Sequence, residues 1–216
     1  MVERVEVPHM SQQSPAIFID DSTALNFLNS IATPVDAEID WIGDGEGLLA
    51  WLQQAQLVPA EILDAMRKQA QPGEIDRLAA QARKLREWFR TFLRKHSGKP
   101  LKGVELADLE PLNRLLSRDE EFGQLVPRKS ARSTALEFHR ARRWRSPDSL
   151  LLPIAEALAK TLAEEDLADV KACEGPACTL MFVDRTRGRS RRWCSMGICG
   201  NRAKQIAHRR RVKESR

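Results

Sequence analysis

Residues 173–202 read CEGPACTLMFVDRTRGRSRRWCSMGICGNR and contain all four cysteines of the 216-residue chain. The cysteines form two C-x4-C pairs, Cys173 with Cys178 and Cys194 with Cys199, and fifteen residues separate the pairs. Each pair closes a short loop that directs two sulfurs inward, and the insert brings the chain back so that the pairs can meet. The spacing predicts a structural zinc site with four thiolate ligands. Two disulfides, or buried free thiols, are the alternatives.

Such a zinc shell is closed, which bears on catalysis. Four cysteines fill a tetrahedral zinc shell, so no position is left for a water to be activated. The four histidines are scattered, and no serine has the surroundings of a catalytic nucleophile. We therefore expect Zn²⁺ as a structural cofactor in a protein that is not an enzyme. An N-terminal region that binds a small molecule, or catalyses a reaction on one, stays open as an alternative.

The charge of the chain is concentrated at its C-terminal end. Residues 185–216 hold twelve Lys or Arg and one acid, whereas residues 1–184 hold 23 basic and 29 acidic residues. A basic end on a mildly acidic body favours a polyanionic partner, and duplex DNA is the leading candidate. RNA is the first alternative, and a finger that binds only protein is a weaker one. The candidate contacts to nucleic acid are Arg187, Arg189, Arg191, Arg192, Arg202, Lys204, Arg209 and Arg210.

The rest of the chain predicts a mostly helical body. Residues 74–96 have apolar side chains at intervals of three and four, which is typical of an amphipathic helix whose arginines lie on exposed faces. Shorter helices are expected after Ser22, after Pro59, over 105–117 and after residue 148, whereas 122–127 and 134–144 look like a small β-hairpin. The predicted fold class is mainly α, and α+β overall. It combines a helical N-terminal domain, a small hairpin and a treble-clef-like zinc module.

The composition also suggests a division of the chain. We expect a flexible arm over residues 1–16, a helical domain over 17–169 and a zinc module over 170–216. Within the module, residues 180–184 look like a strand that returns as a hairpin through residues 191–193. The chain shows no signal peptide and no run of eighteen apolar residues, so we expect no membrane association and a cytoplasmic location.

Two groups of motifs resemble known families. RRWCSM at 191–196 and CGNR at 199–202, with CEGPAC at 173–178 and FVD at 182–184, resemble the CGNR zinc-finger family of bacteria. ALNFLNS at 24–30 and LLAWL at 48–52 are similar to the ABATE-like domain that usually precedes this finger. Asn26 stands where that domain tends to have Asp, and Ser30 where it tends to have Thr.

The resemblance implies a stress-responsive transcriptional regulator. Its finger would bind DNA, and its N-terminal domain would sense a small-molecule effector or mediate assembly. The zinc ligands of the family carry over to Cys173, Cys178, Cys194 and Cys199, and Arg202 with the arginines before Trp193 become the favoured DNA contacts. A homodimer is plausible because one small finger contacts few base pairs, although no heptad repeat supports it.

Overall fold

The computed structural model describes residues 15–19, 22–33, 38–98, 106–128 and 135–214. Five side chains inside these ranges are not described, namely those of Leu106, Ile198, Arg210, Lys213 and Glu214. The arm expected over residues 1–16 therefore lies almost wholly outside the described residues. No helix among the described residues is long and apolar enough to cross a membrane.

Helices make up most of the described chain, and local signals set where several of them begin. Ser22 caps the first helix by accepting a hydrogen bond from the Leu25 amide, Asp44 caps the second through Gly47, and Pro59 precedes the third. The helices are α1 Thr23–Leu28, α2 Gly45–Gln54, α3 Ala60–Gln69, α4 Glu74–His96, α5 Leu106–Leu116, α6 Leu152–Glu164 and α7 Asn201–Glu214. Single 3₁₀ turns cover Pro147–Leu151 and Leu167–Asp169.

The long helix α4 forms the centre of the body, as its periodicity predicted. It contacts α1, α2 and α5, and its apolar face, which includes Leu78, Phe89 and Leu93, is buried. Two of its arginines are not on an exposed face, contrary to the expectation. Arg86 and Arg90 are both buried, because each guanidinium meets oxygen acceptors in the interior.

Arg86 connects α4 to the segment that follows α1. Its guanidinium donates to both carboxylate oxygens of Asp40, at 2.8 and 2.9 Å, and to Ser30 Oγ at 3.0 Å. Burial opposes the ionisation of Asp40, but Arg86 outweighs it and holds the pKa of Asp40 below its usual value. Arg90 donates to the carbonyl oxygen of Leu28 at 2.7 Å. The interior is thus held by a charged network that the periodicity alone did not predict.

The strands in the described residues form three antiparallel pairs. They are β1 Ile31–Ala32 with β2 Ile39–Asp40, β3 Glu121–Pro127 with β4 Leu136–Arg142, and β5 Val170–Ala172 with β6 Met181–Val183. The second pair confirms the predicted hairpin, in which Leu125 lies opposite Phe138. The fold class is therefore confirmed as mainly α with small antiparallel strand pairs.

Candidate zinc centre and nucleic-acid interface

The four cysteines converge on one point in the C-terminal module. All four are free thiols, and their sulfurs lie within 4.8 Å of one another. The Cys194 sulfur is 3.8 Å from that of Cys178 and 3.6 Å from that of Cys199. Zinc–sulfur bonds of about 2.3 Å in a tetrahedron place the sulfurs about 3.8 Å apart, so this donor set fits zinc. The disulfide alternative does not describe this arrangement.

The backbone around the sulfurs is shaped to receive them. The Cys194 amide points at the Cys173 sulfur at 3.2 Å, and the Gly175 amide does so at 3.4 Å. Such N–H groups stabilise anionic sulfur. A Cβ atom at Gly175 would lie 2.8 Å from the Cys199 sulfur and 3.2 Å from the Cys178 Cβ. Glycine is therefore required here by the close approach of the second cysteine pair.

The thiols do not ionise independently. A hydrogen bond with the Cys194 thiol lowers the pKa of Cys178 to about 5, and the same contact, together with burial, raises the pKa of Cys194 above its usual range. Burial raises the pKa of Cys199 to about 12. Neighbouring thiolates repel one another, and a dication bound between them would offset that repulsion.

The strand pairing around the centre differs from the predicted hairpin. β6 pairs with β5, which precedes the first cysteine pair, so that Val170 lies opposite Val183. Residues 184–193 form a loop rather than a returning strand. The return segment contacts the loop of the first pair through one backbone–backbone hydrogen bond, from the Glu174 amide to the Arg192 carbonyl oxygen at 2.9 Å.

The buried carboxylate of Asp184 explains why this segment is a loop. It accepts hydrogen bonds from the Thr186 hydroxyl at 2.6 Å, from the Arg191 amide at 2.9 Å and from Lys171 Nζ at 2.7 Å. Asp184 is fully buried, and burial opposes its ionisation, but these donors outweigh that effect and hold its pKa well below the usual range. The loop is thus held in place by hydrogen bonds to the single carboxylate of Asp184.

Arg191 is directed into the module rather than outward. Its guanidinium lies over the Phe182 ring, 4.2 Å from the ring centre. It also donates to the carbonyl oxygens of Trp193, at 3.1 Å, and Cys194. These contacts hold the second cysteine pair against β6, so the structure gives Arg191 a positioning role.

Two more of the candidate arginines have anionic or carbonyl partners. Arg189 bonds the Asp169 carboxylate at 2.8 Å and the carbonyl oxygen of Asp184. Arg192 bonds the Glu174 carboxylate at 2.6 Å and lies 5.1 Å from the centre of the Trp193 ring. The Arg192 pair is exposed, so a phosphate could replace the carboxylate at little cost.

Of the other candidate cations, four belong to α7 and one to the loop before the second cysteine pair. Lys204 and Arg209 are exposed on this 14-residue helix, and Arg187 is exposed in the loop before the second cysteine pair. Arg202 is half-buried at the start of the helix. Arg210 belongs to α7, but its side chain lies outside the described residues. The module therefore presents positive charge on two elements, the loop before the second cysteine pair and α7.

The module is joined to the body by more than the chain between them. Asn29, at the end of α1, is buried, and its side chain makes two hydrogen bonds with the backbone of Met181 in β6. The side-chain amide of Asn29 donates through Nδ2 to the Met181 carbonyl oxygen at 2.8 Å, and the backbone amide of Met181 donates to Asn29 Oδ1 at 3.0 Å. Phe182 and Cys199 belong to the same buried cluster as Leu25. The two parts share one hydrophobic core.

A family model described as "ABATE: Putative stress-induced transcription regulator" matches residues 21–165. The chain belongs to the ABATE family. The model of the CGNR zinc finger matches residues 170–212, which include all four cysteines. No curated protein matches the chain. Neither of the two families is described as enzymatic, and the finger family with the clustered thiols establishes zinc as a structural cofactor.

The ABATE motif residues have interior roles that the sequence did not suggest. Asn26 accepts a hydrogen bond from the Ile19 amide at 3.2 Å, and Ser30 accepts one from Arg86. Asn29 holds the finger through Met181. The motif therefore connects the first helix to its surroundings. Only the resemblance marked these positions in advance, because short polar residues near the end of a helix also occur as ordinary caps.

Proposed function

We propose that the protein is a cytoplasmic transcription regulator that binds duplex DNA through its zinc finger. Cys173, Cys178, Cys194 and Cys199 hold one Zn²⁺, and residues 170–216 form the DNA-binding module. Residues 17–169 form the sensing or assembly domain. Zinc supplies folding free energy to a module whose own apolar core is small.

The arrangement of exposed cations around a metal-held unit carries this proposal. Arg187, Lys204 and Arg209 are exposed, and none of them has an ion pair among the described residues. A helix of this length extends about 21 Å, which suits the major groove of B-DNA. Arginine is well matched to phosphate oxygens and guanine edges, and Arg192 can join the set by leaving its exposed carboxylate.

The salt dependence of DNA binding tests the proposal. Contact with about five phosphates gives a plot of log K against log salt with a slope near −4.5. Replacing Lys204 and Arg209 together by Ala should bring the slope to about −2.7 while zinc content stays at one per chain. Lys68→Ala, an exposed lysine on α3, is the control and should leave the slope unchanged. A slope that stays the same when Lys204 and Arg209 are both replaced refutes the proposed DNA-binding surface.

The type of nucleic acid is decided by competition. Duplex DNA, single-stranded DNA and structured RNA of equal length compete for the zinc-loaded protein in a gel-shift assay. Preference for the duplex supports the proposal. Preference for RNA or single strands supports the RNA-binding alternative, in which bases would stack on the half-exposed Trp193.

A groove between α4 and α5 is the proposed effector site of the ABATE domain. The groove has a volume of about 410 Å³, and its apolar floor includes Leu85, Trp88 and Leu115. Three cations, Lys84, Arg114 and Arg118, also line the groove. Arg114 pairs with Glu110 at 3.0 Å and Arg118 with Asp148 at 3.3 Å. Pockets of this size with few polar groups suit small ligands, and the cations favour an aromatic or aliphatic carboxylate. The probe is 2-naphthoate, measured by calorimetry.

The groove proposal has a matched control. Lys84→Gln should weaken 2-naphthoate binding several-fold by removing one cation from the groove. Lys68→Gln, outside the groove, should not change it. Equal binding of 2-naphthoate and uncharged 2-acetylnaphthalene would contradict the expected recognition of the carboxylate.

A further inference from the structure

One face of the β3–β4 hairpin exposes large apolar side chains. Leu125, Leu136 and Phe138 are 66%, 59% and 69% exposed. The strand register places Leu125 opposite Phe138, and Leu136 opposite Pro127, so all four side chains lie on the same face. Among the described residues, the other exposed large hydrophobic side chains belong to the finger, at Met196 and Val212.

The outer part of this face carries no charged side chain, since it consists of Gly123, Leu125, Pro127, Leu136 and Phe138. The Phe138 ring lies directly on Gly123, where an added Cβ would be 2.3 Å from the ring. Gly123 therefore leaves room for the ring to lie across the strand beneath it. Arg140 and Arg142 are the basic residues on this face, toward the base of the hairpin, and each pairs with a carboxylate, Arg140 with Glu121 at 3.6 Å and Arg142 with Asp119 at 2.6 Å. A surface of this composition does not suit a phosphate backbone.

The base of the hairpin is fixed to the body, but its apolar face is not covered by it. Arg142 bonds the Asp119 carboxylate at 2.6 Å and the Glu156 carboxylate at 2.8 Å, which anchors β4 beside α6. Farther along the hairpin, the strands described here pack chiefly against each other. An isolated two-stranded sheet is marginally stable in water, and packing of its apolar face stabilises it.

We propose that this face is covered by the same face of a second copy of the chain. With roughly 200 Å² for a fully exposed large apolar residue, Leu125, Leu136 and Phe138 leave about 390 Å² exposed per copy. Two such faces supply about half of a standard interface of roughly 1,600 Å², and the proposal requires the remainder from the exposed neighbours on the same face, Gly123, Pro127 and Arg140. A two-fold axis matches identical apolar surfaces and closes the assembly at two copies.

The charges of the hairpin favour packing of faces over pairing of edges. β4 carries three charged or titratable residues, Glu137, His139 and Arg140, and Arg128, directly after β3, pairs with Glu137 at 2.6 Å. Charged side chains along an edge oppose the addition of further strands. The two hairpins therefore stack as two layers, about 10 Å apart, in a dimer that does not extend into a fibre.

Sedimentation velocity of the full-length, zinc-loaded protein between 1 and 100 μM tests the proposal. The wild type should sediment as a dimer. Phe138→Asp should raise the dissociation constant at least tenfold, because it places a charge at the centre of the face. Gln124→Asp is the matched control, since it adds the same charge to the same hairpin on the opposite face and should leave the dimer intact. Circular dichroism and zinc content should be unchanged in both variants.

Two results overturn the proposal. One is a wild type that stays monomeric at 100 μM, which would mean that other residues of the same chain, or a different partner, cover the face. The other is a Phe138→Asp variant that dimerises as well as the wild type. Neither result bears on DNA binding, because the Phe138→Asp variant keeps its finger and should retain the non-specific affinity of one finger for DNA whether or not it dimerises.

Discussion

Replacing Asn29 by Ala should weaken the finger and the body together. Asn29 makes two hydrogen bonds to the backbone of Met181, at 2.8 and 3.0 Å, and both residues are buried. Alanine leaves the Met181 amide and carbonyl without these partners inside the core. With about 1–2 kcal/mol for each of the two backbone groups, from the lower part of the range for buried polar groups left unpaired, we expect a loss of about 2–4 kcal/mol of unfolding free energy.

This loss is large enough to measure in two independent ways. For a chain of this size, each kcal/mol lowers the melting temperature by about 2–4 °C, so a decrease of roughly 5–15 °C is expected in a calorimetric scan of the zinc-loaded protein. Zinc should also be lost faster to a chelating dye, because β6 supports the cysteine loops. Asn113→Ala, at an exposed position of α5, is the control and should change little. An Asn29→Ala variant with wild-type melting and zinc release refutes the reasoning.

Three further predictions concern single residues. Gly175→Ala should lower zinc affinity in a competition titration, because the new Cβ would lie 2.8 Å from the Cys199 sulfur; unchanged affinity contradicts this. Asp40→Asn should make the free energy of unfolding depend less on pH in acid. The pKa of Asp40 is lower in the folded than in the unfolded state, so the ionised carboxylate stabilises the fold above about pH 4, and this stabilisation is lost as pH falls through the folded pKa. Arg191→Met should speed zinc release measured with a chelating dye, because Arg191 holds the second cysteine pair; a DNA defect with normal zinc retention would assign it to the interface instead.

The sequence predicted the elements whose physics is local. The amphipathic period of residues 74–96 matched α4, and the cap at Ser22 marked the start of α1. The cysteine spacing predicted the convergence of the four thiols, because two short loops and an insert of moderate length leave few other arrangements. These features depend on neighbours within a few residues or on a strict ligand geometry.

The features that the sequence did not predict depend on distant partners. Asp184 resembled one more residue of an alternating strand, and only its burial beside Lys171 shows why the chain turns there. Arg86 resembled an exposed helix residue until Asp40 was placed next to it. Periodicity ranks residues by polarity, so it assigns a paired, buried arginine to the outer face.

The contact between Asn29 and β6 also bears on how such proteins can diversify. Asn29 recognises the main chain of residue 181, not its side chain. These two hydrogen bonds therefore require an extended backbone at residue 181, but they do not depend on which side chain that residue carries. A finger with a different set of arginines, and a different binding preference, could therefore attach to the same N-terminal domain through the same contact with Asn29. The DNA-binding surface can thus change in sequence while the contact between the finger and the N-terminal domain stays the same.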